Sequence, residues 1–172
     1  MLSDMQKIIV IGCPGAGKTT FSKQLAKKLG LPLYHLDYFY YDNRFDYPHN
    51  TSAWRQRITE LVHKEQWIID GNYKSTFDIR FPQAEAIIYL DYPLRITLSR
   101  ALKRRVVLHG KVRDDMPSSW KEQFSLQFLR FILSYNRVER PKLYKLLQAE
   151  QRHRTVIILR SPRQTERYLA AL

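Results

Sequence analysis

Gly12-Cys13-Pro14-Gly15-Ala16-Gly17-Lys18-Thr19 is the stretch that decides the fold. It satisfies G-x-x-x-x-G-K-[ST]. An apolar, β-branched run, Lys7-Ile8-Ile9-Val10-Ile11, precedes it, and an amphipathic segment from Thr19 to Leu29 follows. Strand, glycine-rich turn and helix in that order make a phosphate-binding loop. The spacing has a physical cause. Glycines permit backbone angles that aim successive N–H groups inward as an anion nest. The following helix adds the positive end of its dipole. Lys18 then reaches the outer phosphates as a point charge, and the Thr19 hydroxyl is placed to ligate Mg²⁺. The candidate ATP-binding residues are Gly12, Cys13, Pro14, Gly15, Ala16, Gly17, Lys18, Thr19 and Thr20. Lys18 is also a catalytic candidate. Because a helix N-terminus lowers a thiol's pKa, Cys13 is expected to alkylate readily and ATP to protect it.

Outward from the loop, four more apolar runs read as strands: Leu33 to Leu36, Trp67 to Ile69, Ala86 to Leu90 and Thr155 to Leu159. Segments with helical spacing lie between them. Leu25, Ala26 and Leu29 fall on one side of the first, which Gly30 and Pro32 stop. Alternation of this kind predicts an α/β architecture with right-handed crossovers. A long helix is expected from about Ser118–Ser119, with Ser119 and Glu122 as a capping box. Phe124, Phe128, Phe131, Tyr135 and Val138 would be its core-facing stripe. Pro141 is expected to end or kink it, with a shorter helix over Lys142 to Gln148. Ser161-Pro162 looks like a last helix start. No repeat, low-complexity tract or linker appears, which predicts one domain over residues 1–172.

The 172 residues carry 29 Lys plus Arg and 16 Asp plus Glu, a net charge of +13. The excess is lopsided. Residues 1–94 hold 11 basic and 10 acidic groups, whereas residues 95–172 hold 18 and 6. That points to a polyanionic partner: nucleotide, nucleic acid or membrane surface. Apolar content of 44% excludes intrinsic disorder. One cysteine excludes an internal disulfide and a cysteine zinc cage. No run approaches the roughly 18 apolar residues of a membrane span, and Met1 to Lys7 lacks a signal-peptide pattern. The expected location is cytoplasmic, without a membrane partner, as a monomer or weak dimer. The five histidines show no metal-ligand spacing.

Asp37, Asp70 and Asp91 stand at the C-terminal ends of predicted strands, the edge where open α/β sheets bind ligands. Asp70, in Trp67-Ile68-Ile69-Asp70-Gly71, occupies the position of a carboxylate that holds Mg²⁺ through water. The metal candidates are thus Thr19 and Asp70. Asp37 is a candidate catalytic base for an acceptor hydroxyl, a second metal contact or a helix cap. An alcohol acceptor benefits from such a carboxylate, whereas an acceptor phosphate is already anionic. Asp91, before Tyr92-Pro93, is read as structural.

A basic run follows: Arg100, Lys103, Arg104 and Arg105, then His109, Lys111 and Arg113. Arg100 and Arg104 share a helix face at four-residue spacing. Arg100, Arg104 and Arg113 are catalytic candidates for neutralising charge on the transferring phosphoryl group, with Arg100 also an ATP contact. Arg137 is a further candidate, and Lys103 and Arg105 are expected to face water. The aromatic stretch Tyr38 to Pro48 fits an acceptor pocket, packing on the sheet, or stacking on single-stranded nucleic acid.

Together, Gly12 to Thr20, Asp70-Gly71 and Asp91-Tyr92-Pro93 with Arg100 and Arg104-Arg105 resemble adenylate-kinase-like P-loop kinases. The bacterial DNA topology modulation proteins are a closer resemblance. It is carried by His35-Leu36-Asp37, Trp67 to Tyr73, Arg80, Leu90 to Pro93 and Arg113-Asp114-Asp115-Met116. The resemblance implies a three-layer α/β/α P-loop NTPase fold, like nucleotide and shikimate kinases, with a five-stranded parallel sheet in order 2-3-1-4-5. It also implies an acceptor-binding segment at about 38–66 and a basic lid at about 104–116. Where adenylate kinases carry a proline-arginine that grips the acceptor phosphate, this chain has Asn72-Tyr73-Lys74, leaving Lys74 or Arg80 as substitutes. The expected activity is an ATP- and Mg²⁺-dependent kinase acting on an unidentified small molecule or nucleotide. The alternative is a nucleic-acid-binding protein in which ATP is a switch or dispensable.

Overall fold

The computed structural model describes residues 2–41, 51–107 and 126–172. Five parallel strands run β1 (Lys7–Gly12), β2 (Leu33–His35), β3 (Trp67–Asp70), β4 (Ala86–Leu90) and β5 (Thr155–Leu159). Their spatial order is β2-β3-β1-β4-β5. The strands that flank the centre read as unbroken apolar runs because both faces are covered. Ile8, Ile9, Val10 and Ile11 are completely buried, and burial of each contributes about 1.5–3 kcal/mol.

Helices cover both faces. On one lie α1 (Lys18–Leu29) and α7 (Pro162–Ala170), which bring Phe21, Leu25 and Leu169 onto Val10, Ile88 and Leu159. On the other lie α2 (Leu36–Tyr40), α3 (Thr51–Val62), α4 (Phe77–Arg80) and α6 (Leu126–Glu150). Trp54, Ile58, Phe81, Leu143 and Leu147 fill that layer against Ile9, Ile69 and Tyr89. Helix α5 (Leu94–Val107) packs with α6 through Ala101, Ile132 and Tyr135, around Cys13. Gly30 caps α1 at φ 69°, and the Ser161 hydroxyl accepts from Gln164 N at the start of α7, both as expected.

Three sequence expectations need correction. Leu36 leaves the second strand and opens α2 instead. Helix α6 runs through Pro141 without ending. The missing N–H falls at an exposed position, and buried anchors on both sides, Tyr135 before and Leu143 and Leu147 after, hold both halves on the core, so the separate helix expected over Lys142 to Gln148 is a continuation of α6. The buried face of α6 follows Ile132, Tyr135, Leu143 and Leu147, so Phe131 and Val138 face solvent at 36% and 45% exposure. Ser119, Glu122 and Phe124 lie outside the described residues.

Parallel register then sets the functional edge. Val10 pairs with Asp70, His35 with Asp70, and Gly12 with Leu90. The first loop residue, the acid that ends β3 and the acids just past β2 and β4 therefore meet at one end of the sheet.

Candidate phosphate-binding site

Two of the loop's glycines sit where a side chain has no room, and a third holds a backbone angle that side chains rarely adopt. Gly15 has φ 82°, and a Cβ there would lie 2.2 Å from the Thr97 carbonyl oxygen in α5. At Gly12 a Cβ would lie 2.7 Å from the Leu90 carbonyl oxygen. Gly17 enters α1 in the left-handed region at φ 89°. The loop thus folds between β4 and α5, with the start of α1 behind it.

Lys18, half-buried at the start of α1, donates from Nζ to the Gly12 carbonyl at 3.0 Å and the Cys13 carbonyl at 3.3 Å. Burial pushes its ammonium below the ordinary lysine value; Asp37 and Asp70 pull it back up and Arg104 adds to the depression. The same balance locates the groups: Asp37, Asp70 and Arg104 all stand within the electrostatic reach of Lys18. Arg100, on the same face of α5 as Arg104, donates from Nη1 to the Ala16 carbonyl at 3.4 Å and lies over the Tyr92 ring. Thr19 is half-buried and Thr20 exposed in the first turn of α1.

The expectation for Cys13 is overturned. The residue is 3% exposed among Ala101, Ile132 and Tyr135, and burial pushes its thiol up to about 11. Its side chain is core filler; only its backbone belongs to the loop.

Asp70 is buried and accepts from His35 Nδ1 at 2.9 Å. Its second oxygen and the Thr19 hydroxyl are hard oxygen donors of the kind Mg²⁺ takes, so the donor set fits that ion. Asp37 is no N-cap: it lies inside α2, whose N-cap position is His35, and its carboxylate accepts from the Tyr73 phenol at 2.8 Å. Burial and the Asp37 charge drive that phenol well above the ordinary tyrosine value. Tyr73 itself is left-handed at φ 30°, the one such non-glycine among the described residues. Its ring packs on Tyr40 and Trp54 at 4.8 and 5.2 Å, so this part of the aromatic stretch is packing beneath Asp37.

Two residues proposed as acceptor-phosphate grips are committed elsewhere. Arg80 is completely buried and donates to the carbonyls of Gly71, Asn72 and Tyr73 and to Thr76 Oγ1. Burial pushes its guanidinium down to about 9, still cationic at neutral pH. Lys74 pairs with Glu139 of α6. Asp91 is structural: Arg140 Nε and Nη2 hold it at 2.7 and 2.8 Å, and Tyr144 donates to it at 2.7 Å.

Lys103 and Arg137 are exposed. Arg113, His109, Lys111, the Arg105 side chain and residues 42–50 of the aromatic stretch lie outside what is described. Sequence reasoning missed Asn72 as a contact of the loop. Its side-chain oxygen accepts from Gly12 N at 3.0 Å, and its Nδ2 donates to the Gly12 carbonyl at 2.9 Å. The only signal was its place in Asp70-Gly71-Asn72-Tyr73.

The sheet order, the loop and its helix define the P-loop NTPase fold of the kinase type. The chain belongs to the AAA domain family, whose match spans residues 8–113. Solved structures agree on the fold. Shikimate kinase from Acinetobacter baumannii, in complex with shikimate, aligns with TM-score 0.58 at 17% identity, over 99% of this chain and 92% of that one. Shikimate kinase from Bacteroides thetaiotaomicron gives 0.58 at 21% identity, over 97% and 95%. A gluconokinase from Sinorhizobium meliloti 1021 gives 0.52 at 15%, over 96% and 92%. A search of curated proteins found no match.

Proposed function

We propose that this chain is an ATP- and Mg²⁺-dependent kinase that phosphorylates the hydroxyl group of a small molecule. One observation carries the proposal: a carboxylate, Asp37, stands within reach of the Lys18 charge at the functional edge, with one oxygen fixed by Tyr73. Backbone N–H groups of Gly12 to Thr20 and Lys18 would bind the triphosphate. Thr19 and Asp70 would hold Mg²⁺, which neutralises the phosphate oxygens. Asp37 would take the proton of the acceptor hydroxyl as its oxygen attacks the γ-phosphorus and the bond to the β-phosphate oxygen breaks, releasing ADP. Arg100 and Arg104, and Arg113 from the lid, would offset charge on the moving group. The commitment of Arg80 and Lys74 favours an alcohol over a nucleoside monophosphate. Shikimate, bound in one of the kinase structures above, is a hydroxyl compound of that general class.

The domain assignment goes with this: residues 1–172 as one kinase-like unit, an acceptor segment at about 38–66 and a lid at about 104–116, in a cytoplasmic monomer or weak dimer. No helix among the described residues is long and apolar enough to cross a membrane. From motif resemblance alone we also propose kinship with the DNA topology modulation proteins. A nucleic-acid role is the second reading, and exposed Lys27, Lys28, Arg163 and Arg167 on the paired helices α1 and α7 favour it.

The test is an ATP-consumption screen over sugars, other small alcohols, nucleosides, nucleotides and duplex DNA, run beside Lys18→Ala. An acceptor-dependent signal is expected with an alcohol, reduced at least about 100-fold in the variant. Signal only with duplex DNA would favour the second reading, and wild-type turnover by Lys18→Ala would refute the kinase assignment.

A further inference from the structure

Asn72 makes a two-bond clip on a single residue, Gly12, at the entrance of the phosphate loop. Its amide accepts from Gly12 N and donates to Gly12 O, at 3.0 and 2.9 Å. Gly12 holds a backbone conformation that side chains rarely adopt. It sits at φ 157°, and the Leu90 carbonyl leaves no room for a side chain. Its carbonyl is also the nearer of the two acceptors of Lys18 Nζ. One oxygen is thus shared by a fixed amide and by the ammonium meant for the phosphates.

The clip is itself held from behind. Arg80 spends its guanidinium on the carbonyls of Gly71, Asn72 and Tyr73. Gly71, at φ 130°, lets the turn pass Leu36, where a Cβ would lie 2.9 Å from the Leu36 Cβ. Tyr73 then takes up its left-handed conformation, whose strain the surrounding bonds must offset. With the backbone so fixed, the Asn72 side chain reaches the loop while the next side chain reaches Asp37.

We propose that Asn72 is a positioning residue for ATP binding: it fixes the Gly12 carbonyl that aims Lys18 at the β- and γ-phosphates. This rests on the kinase assignment above and deepens it. Asn72 touches no phosphate; it acts through Gly12 and Lys18. Asparagine suits the task because Gly12 presents its own N–H and C=O to the same side, one donor and one acceptor, and a primary amide matches both. Aspartate matches only the N–H and would set a carboxylate against the carbonyl oxygen.

The experiment is equilibrium competition of ATP-Mg²⁺ and of AMP against a fluorescent ATP analogue, for wild type, Asn72→Ala, Asn72→Asp, Lys18→Ala and Asn72→Ala/Lys18→Ala. Thermal melts confirm that each variant is folded, and Asn72→Asp keeps the side-chain volume should Asn72→Ala fail to fold. Asn72→Ala and Asn72→Asp are expected to weaken ATP about 5- to 30-fold and AMP less than about two-fold, since AMP lacks the phosphates Lys18 reaches. In the Lys18→Ala background the Asn72 change is expected to add less than about two-fold. Wild-type ATP affinity in both Asn72 variants, an equal loss for AMP, or a loss that adds in full to that of Lys18→Ala each overturns the proposal. A wild-type chain without ATP-Mg²⁺ affinity would overturn the kinase assignment and this proposal with it, an outcome visible before any variant is measured.

Discussion

Asp37 after β2 and Asp91 after β4 stand in similar local sequence, an apolar run ended by an acid at the same edge of one sheet. Their surroundings differ. Asp91 is 3% exposed in its side chain and is saturated by Arg140 and Tyr144 from α6. Asp37 is half-buried, accepts from one neutral phenol among the described residues, and shares the field of Lys18. A carboxylate that is saturated holds the fold together; one that keeps an oxygen for a substrate proton can do chemistry. The difference arises from what other elements deliver to each strand end, since the strand ends themselves are alike.

The sharpest break of that contrast is Asp37→Asn. The amide keeps the volume and can still accept from Tyr73, but it cannot take a hydroxyl proton. We expect kcat for the alcohol acceptor to fall about 10²- to 10⁴-fold, with ATP affinity and melting temperature nearly unchanged. A loss of stability without a selective loss of kcat would put Asp37 in the same class as Asp91.

Asp91→Asn should show the converse. Burial disfavours the Asp91 charge, but the bonds from Arg140 and Tyr144 outweigh it and hold the carboxyl below its ordinary value. The stability so gained is present above the ordinary carboxylate range and is lost as pH falls through the folded value. The Arg140 side chain is 42% exposed, so water recovers part of the pair energy, and we expect a loss of about 1–3 kcal/mol at pH 7. The gap between wild-type and variant melting temperatures should narrow toward pH 3. A gap independent of pH would mean that the pair contributes no charge-dependent stability.

What the sequence made legible follows the same divide. β4 and β5, the P-loop and the last helix start could be read because their signals are local: a run of β-branched residues, a glycine spacing, Ser161 before Pro162. Asp91 was read as structural, yet its partner lies 49 residues away in α6, and nothing in the pattern names it. Arg80 looked available for phosphate because an arginine is usually exposed, and its burial beneath the Gly71–Tyr73 turn is a tertiary fact. Helix α6 crossed Pro141 because long-range anchors on both sides outweighed a local breaker. Cys13 was misjudged because the helix dipole is local, while the α5–α6 packing that buries its thiol is not.

Lys18 tests the comparison from the cationic side, with the smallest expected effect. The fold lowers its pKa, because burial costs the ammonium more than Asp37 and Asp70 return. A lysine whose value falls on folding binds its proton more weakly in the native state. Its charge therefore costs stability below the folded value, and the cost vanishes above the unfolded value of about 10.5. Lys18→Met keeps most of the stem and removes the charge. Its melting temperature at pH 7 should rise by about 2–4 °C, what roughly 1 kcal/mol does in a chain of this size. The gain should shrink as pH approaches 10.5. A catalytic group held at a cost in stability is what a site built for a ligand's charge requires. The outcome that counts against it is a Lys18→Met chain that melts lower than wild type, because Lys18 would then be stabilising its own loop through Gly12 and Cys13 as Arg140 stabilises the end of β4 through Asp91.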